Sequence, residues 1–265
     1  MMPTTLASIH IYPVKSLGGF SVAKVRLTDR GLEHDRRWML IDPDGRFLSQ
    51  RECPAMACLH CIPQGPGFRV TDTRNGSTVD VPWSLDDGEH TLAKVWNDEV
   101  ELLLGDSQLH SWFSEALQRP LRLAYMPSST LRITDARYVE VPVALNDAFP
   151  ALILSQASLD DLNARLQTPV PMDRFRPNFV ISGGVAFQED HWKETSIGEE
   201  DFHIMKPCSR CVITTTDQRT GERSTEPLRT LATYRSVGNK VHFGMYAVFA
   251  AGGEVRVGDF VRSND

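Results

Sequence analysis

Residues 38–50, WMLIDPDGRFLSQ, read as a β-hairpin: four apolar residues from Trp38 to Ile41 run into Pro43, Asp44 and Gly45, and RFLSQ leads back out. Proline presets φ for a turn corner, and glycine takes the positive φ that other residues resist. The same alternation of short apolar runs with turn residues extends both ways. Upstream lie SIHIYPV (8–14), Gly18 with Gly19, and VAKVRLT (22–28); downstream, FRVTDTRNGSTVDVPW (68–83) repeats the hairpin pattern around Asn75 and Gly76. Turn chemistry at such short spacing predicts an all-β, barrel-like unit from Thr5 to about Val100.

Beyond it the period changes. Leu109, Trp112, Phe113, Ala116 and Leu117 fall at helical spacing, with Asp106 or Ser107 as N-cap and Pro120 as the stop. This helix divides the chain into expected domains at 1–118 and 119–265. In the second, ALILS (151–155) reads as a buried strand, Ser158 as the cap of a helix carrying Leu159, Leu162 and Leu166, and FVISG (179–183) as a return to β structure. HIMKPCSRCVITTTD (203–217) reads as a strand interrupted by a cysteine turn, and EPLRTLATYR (226–235) as a helix with Pro227 in its first turn. FGMYAVFA (243–250) and EVRVGDFV (254–261) close the chain as strands. The fold class expected is mainly β with a few helices (α+β): two β-barrel-like units joined by a helix. Trp38 and Trp192 are expected in the core.

The net charge of −6 and pI near 5.8 come from interspersed acids and bases, with no basic cluster to suit nucleic acid or an anionic membrane. The N-terminus lacks a basic stretch followed by an apolar run of signal length. No segment approaches the roughly 18 to 20 apolar residues of a membrane helix. A cytoplasmic location without membrane or nucleic-acid partners is expected. Five cysteines, Cys53, Cys58, Cys61, Cys208 and Cys211, in a chain without a secretory signal suggest free thiols or metal ligands more than disulfides.

Lys206-Pro-Cys-Ser-Arg-Cys211 is the most chemically loaded stretch, since it sets two thiols beside two cations. Neighbouring positive charge favours the thiolate, the form that serves both as nucleophile and as soft-metal ligand. Three readings compete. Cys58-Leu-His-Cys61 is a second CxxC, so the two pairs resemble a four-thiolate zinc set, although the gap between them far exceeds the roughly 15 to 20 residues of a compact zinc ribbon. A dithiol redox pair lacks the helix start of a thioredoxin-type site. Buried, inert thiols are the third reading.

The company the turn keeps changes the balance. IYPVKS (11–16), HDRRW (34–38), NDAFPALILSQASLDDLN (146–163), MDRFRPNFVISG (172–183) and KPCSRCVITTTD (206–217) occur in the order of the characteristic blocks of the MOSC family. The likeness covers nearly the whole chain. It resembles the group that joins an N-terminal MOSC β-barrel domain to a MOSC domain, as in bacterial N-hydroxylated-compound reductases and the mitochondrial amidoxime reducing component.

The resemblance implies a molybdenum cofactor, in which a molybdopterin holds the metal and Cys211 is the protein's ligand to it. Lys15 and Ser16 match the family's PVKS block and Arg36 its DR-x-W block; with Arg176 and Asn178 of RPN, and Ser209 and Arg210 of SRC, they are implied in cofactor binding. Asp147 and Ser155 lie in a block that approaches the cofactor, Asp147 as a proton donor or as a turn or helix-capping aspartate, and Cys208 is given a structural role or one behind the ligand, with Cys208 as the ligand itself the alternative. The implied reaction is reduction of an N-hydroxylated small molecule. Because the sequence has no dinucleotide fingerprint, an external electron donor is implied: a flavin or iron–sulfur reductase, or a small electron carrier. Some relatives continue into a ferredoxin-like domain, whereas this sequence stops soon after VRVGDFV. Two other functions stay open: a carrier with a persulfide on Cys211, and a zinc-stabilised interaction module.

Overall fold

A computed structural model describes residues 3–264. Among the described residues strands hold 41% against three α-helices, so the mainly β class is the one that folds. The largest sheet has nine strands, running Val261–Asn264, Glu194–Ile197, Glu200–Arg210, Lys240–Phe249, Ala151–Ser155, Phe179–Ser182, Thr5–Ile11 and Phe20–Val22, with Ser236–Val237 added beside Lys240–Phe249. Its centre, ALILS, is buried along its whole length because a strand flanks it on each side and a helix lies above it. That helix, α2 (Gln156–Arg165), lies between Ala151–Ser155 and its parallel neighbour Phe179–Ser182, a pairing no tight turn can make.

A four-stranded sheet joins Trp38–Ile41, Arg122–Tyr125, Asp98–Leu104 and His90–Val95, and a three-stranded one joins Leu59–Gln64, Gly67–Asp72 and Thr78–Pro82. Helix α1 (Ser107–Leu117) closes their shared core, where Leu109 and Phe113 meet Trp38, Phe68 and Leu123. Asp106 caps it, accepting from Leu109 N at 2.9 Å. Trp192 packs in the second core with Ile9, Phe179 and Phe202.

The strand Thr5–Ile11 pairs antiparallel with Phe179–Ser182 in the large sheet, and Glu254–Arg256 pairs with Lys24–Thr28. Strands from both sides of residue 118 therefore share a sheet.

Five local expectations need correcting. The hairpin at 38–50 turns where expected, but its return arm makes only isolated bridges, Phe47 to Ile41 and Arg46 to Lys94, because Lys94 shares the arm's backbone bonds. Helix α2 is capped by Ser155, whose hydroxyl accepts from Ser158 N at 3.1 Å; Ser158 instead donates to the buried Glu189 at 2.7 Å. EVRVGDFV splits into two strands in different sheets around Gly258, whose φ of +95° a side chain would oppose. The strand Glu200–Arg210 runs through Cys208, and the turn begins only at Cys211. Pro227 is the N-cap of a short helix, α3 (Leu228–Ala232).

Candidate functional site: a cationic cleft beside Cys211

Proline has no N–H to give a β-ladder, and the register between Glu200–Arg210 and Lys240–Phe249 slips between Pro207 and Ser209. Cys208 at the slip is 3% exposed. Cys211 follows the strand and opens a 3₁₀ turn, Val212–Thr215, its carbonyl accepting from Thr214 N at 3.1 Å and Thr214 Oγ1 at 3.0 Å. Its thiol is left half-buried on the wall of a cleft that encloses about 720 Å³, counting space open to solvent.

Five guanidiniums and one ammonium line that cleft: Arg36, Arg51, Arg174, Arg176, Arg210 and Lys15. Tyr12 organises two of them. The guanidinium carbons of Arg36 and Arg176 lie 4.7 Å and 4.3 Å from its ring centre, and its hydroxyl donates to Pro177 O at 3.2 Å. Burial pushes the Tyr12 phenol up to about 12, against the pull of both arginines, so it stays neutral. Arg36 is held by Asp35, by Asn178 Oδ1 at 3.1 Å and by Arg176 O at 3.3 Å. Among the described residues seven non-glycines have positive φ, and three of them, Ser16, Arg36 and Arg176, line this cleft. Backbone strain of this kind gathers at sites where side-chain aim matters more than local comfort.

Several donors in the cleft have no partner. Arg174 Nε, Arg176 Nη2 and Arg210 Nη2 are buried and unbonded. Arg210 is fixed through Phe243 O at 2.7 Å and Phe175 O at 2.9 Å, Arg174 through Asp217 at 2.9 Å, and Arg176 through Leu17 O at 2.6 Å. A buried N–H without an acceptor costs free energy that an anion in the cleft would recover. The arrangement suits a phosphate-bearing ligand.

Lys15 is 4% exposed and donates to Leu145 O at 2.7 Å and Asp147 Oδ1 at 2.5 Å. Burial brings its ammonium down to about 8, Asp147 resisting the fall. Desolvation pushes the Asp147 carboxyl up, but Lys15 and then Arg51, at 3.2 Å, outweigh it and hold it well below the usual carboxylate range. Asp147 thus sits in the cleft as the counter-charge of Lys15 and Arg51. Burial raises the Cys208 thiol, with Arg210 and the neighbouring Tyr246 hydroxyl pulling the other way.

All nine residues singled out from the sequence, Lys15, Ser16, Arg36, Asp147, Arg176, Asn178, Ser209, Arg210 and Cys211, line the one cleft. Ser155 does not: it is fully buried as the α2 cap. Asn178 uses its amide within the fold, accepting from Arg36 and from Leu152 N at 3.3 Å and donating to His10 O at 3.2 Å. Sequence reasoning passed over Tyr12, Arg51, Arg174 and Tyr246. The four-thiolate zinc set has no geometric support: Cys61 packs in the core under α1, Cys208 lies in the cleft, and among the described residues no three His, Cys, Asp or Glu side chains converge on a metal position. No helix among them is long and apolar enough to cross a membrane.

The sequence has clear counterparts. Residues 3–120 match the family model of the MOSC N-terminal beta barrel domain, and residues 140–262 that of the MOSC domain. The chain belongs to the MOSC family. It is 32% identical over 275 residues to mitochondrial amidoxime-reducing component 1 of Homo sapiens, covering 96% of this chain and 81% of that protein. Mitochondrial amidoxime reducing component 2 of Rattus norvegicus is 33% identical, with 96% and 82% covered. Molybdenum cofactor sulfurase of Oryza sativa subsp. japonica is 35% identical over 91% of this chain, which spans only 32% of that protein.

Proposed function

We propose that this chain holds the molybdenum cofactor in the cleft, with the Cys211 sulfur as the protein's ligand to the metal, and reduces N-hydroxylated compounds with electrons from a separate donor. One observation carries the reading: a soft sulfur and the unbonded N–H groups of Arg174, Arg176 and Arg210 meet in one cleft. That donor set suits a thiophilic metal on an organic carrier ending in a phosphate. The amidoxime-reducing names of two relatives support the substrate class.

When bound, the cofactor supplies two-electron oxygen-atom transfer chemistry, by which an amidoxime, hydroxamic acid or hydroxylamine becomes the amidine, amide or amine and its oxygen leaves as water. The chain's residues bind and orient. Arg176 and Arg210 offer their free N–H groups to the anionic end, and the Ser16 and Ser209 hydroxyls line the same space. Tyr12, packed against Arg36 and Arg176, fixes the plane of both guanidiniums. Lys15, with a value of about 8, is the group in the cleft able to give or take a proton near neutral pH, and Asp147 keeps it in place. Electrons arrive from an external flavin or iron–sulfur protein, or from a small carrier.

A second reading, a persulfide carried on Cys211, draws on the sulfurase relatives, of which this chain spans about a third. Purification from a molybdate-fed, cofactor-competent host separates the two. The reductase reading expects molybdenum near stoichiometry, lost in Cys211→Ala, and reduction of benzamidoxime by a reduced viologen dye. A native mass carrying one extra sulfur and no molybdenum would overturn it in favour of the carrier.

A further inference from the structure

Arg51 lies outside every block that pointed to the site, yet it lines the same cleft as Cys211. It donates to Asp147 Oδ2 at 3.2 Å. A guanidinium stays a cation throughout the neutral range, and Asp147 lies beside this one as its counter-charge. Its side chain is 27% exposed, against 13% for Arg36 and 10% for Arg174, so it stands nearer the open side of the cleft. A guanidinium carries five N–H donors, and the contact to Asp147 leaves others for a ligand.

The plane of that guanidinium is set from the other wall. Trp96 opens the turn at 96–97 between the strands His90–Val95 and Asp98–Leu104, and its ring centre lies 4.6 Å from the Arg51 guanidinium carbon. Phe47 packs edge-on against the indole at 5.0 Å. Trp96 has φ +59°, a conformation that such tight hairpin turns ordinarily give to Asn or Gly, and its side chain is 45% exposed. A bulky aromatic kept in a strained, half-exposed position against a cleft arginine points to a use for that contact.

We propose that Arg51 is the substrate-binding residue of the cleft: it donates to the oxygen of the N–OH group shared by amidoximes, hydroxamic acids and hydroxylamines and holds it beside Cys211. Trp96 is its positioning residue. The inference rests on the reductase reading above and adds the contact that tells an N-hydroxylated compound from its reduced product.

The test uses cofactor-loaded protein as wild type, Arg51→Gln, Arg51→Lys, Trp96→Ala and Trp96→Phe. Molybdenum content, equilibrium binding of benzamidoxime and of benzamidine, and kcat and KM with a reduced dye are measured. Arg51→Gln should keep its molybdenum and bind benzamidoxime about tenfold or more weakly, the scale of losing one hydrogen bond to a charged group, with benzamidine affinity unchanged. Trp96→Ala should raise KM severalfold with a smaller change in kcat, and Trp96→Phe should restore most of it. Loss of molybdenum from both Arg51 variants would assign Arg51 to the cofactor and overturn the proposal, as would equal effects on the two ligands or none. If wild type binds benzamidoxime through Arg51 but never reduces it, the reductase reading falls while the binding site stands.

Discussion

Two cysteines three residues apart carry different burdens. Cys208 is buried beside Tyr246, whereas Cys211 sits half-buried on the cleft wall. Cys208→Ala should lower unfolding free energy by about 1 kcal/mol, the scale of a lost buried methylene-sized group, and retain molybdenum. Cys211→Ala should unfold at the same denaturant concentration as wild type and lose the metal. The reverse pattern, read by plasma mass spectrometry and urea titration, would reassign the ligand. Lys15 gives a pH signature. Its folded value of about 8 lies below the unchanged 10.5 of an unfolded lysine, so between these values the unfolded chain binds the proton more readily. Stability from this group therefore rises with pH across that window and is lowest below pH 8. Lys15→Met should remove that rise, seen as the wild-type minus variant difference in urea midpoint from pH 8 to 10. At this scale the sequence was informative wherever chemistry is written into neighbouring letters, as in PVKS, RPN and SRC. Arg51 left no such signal, because an isolated arginine in sequence carries no information about which wall it will face, and Tyr12 and Arg174, though inside the IYPVKS and MDRFRPNFVISG blocks, were passed over in favour of their neighbours.

Secondary structure followed its local signals where these were unopposed. Asp106 caps α1 and the Asn75 and Gly76 turn joins two strands, as polar caps and turn residues dictate. Tertiary competition decided the rest. Ser155 and Ser158 are both good caps three residues apart, and the buried Glu189 carboxylate settles which one acts, accepting from Ser155 N at 3.0 Å and from the Ser158 hydroxyl. Ser155→Ala should cost about 1–2 kcal/mol through the lost cap without loss of molybdenum. Thermal unfolding together with metal analysis checks this, and a metal-free but equally stable variant would return Ser155 to the cofactor. The slip at Pro207 belongs to the same scale. A strand strictly alternating through 200–210 would give a different set of inward residues, and the irregularity by which Cys208 is buried was invisible to a period-two reading.

At the scale of the whole molecule, the division at residues 118 and 119 meets a chain that crosses it repeatedly. Thr5–Ile11 and Phe20–Val22 complete the large sheet, and Leu6, Ile9, Ile11, Val25, Leu27 and Leu32 pack with Phe179, Phe202 and Val255 in one core. Burying six such side chains contributes on the order of 10 kcal/mol, comparable with the roughly 5–15 kcal/mol net stability of an ordinary domain. A fragment of residues 119–265 would expose this core and leave the Phe179–Ser182 strand without its antiparallel neighbour. It would also lack Tyr12, Lys15, Ser16, Arg36 and Arg51, about half of the charged wall around Cys211. Expressed alone, it should show no cooperative unfolding transition by circular dichroism and bind no molybdenum. Adding residues 1–118 as a separate chain should restore both, since the missing strand pairs through backbone hydrogen bonds that need no covalent link. A fragment that unfolds cooperatively by itself would mean that the amino-terminal strands decorate an independent domain, and the cleft would then have to be understood as an interface between two folded bodies.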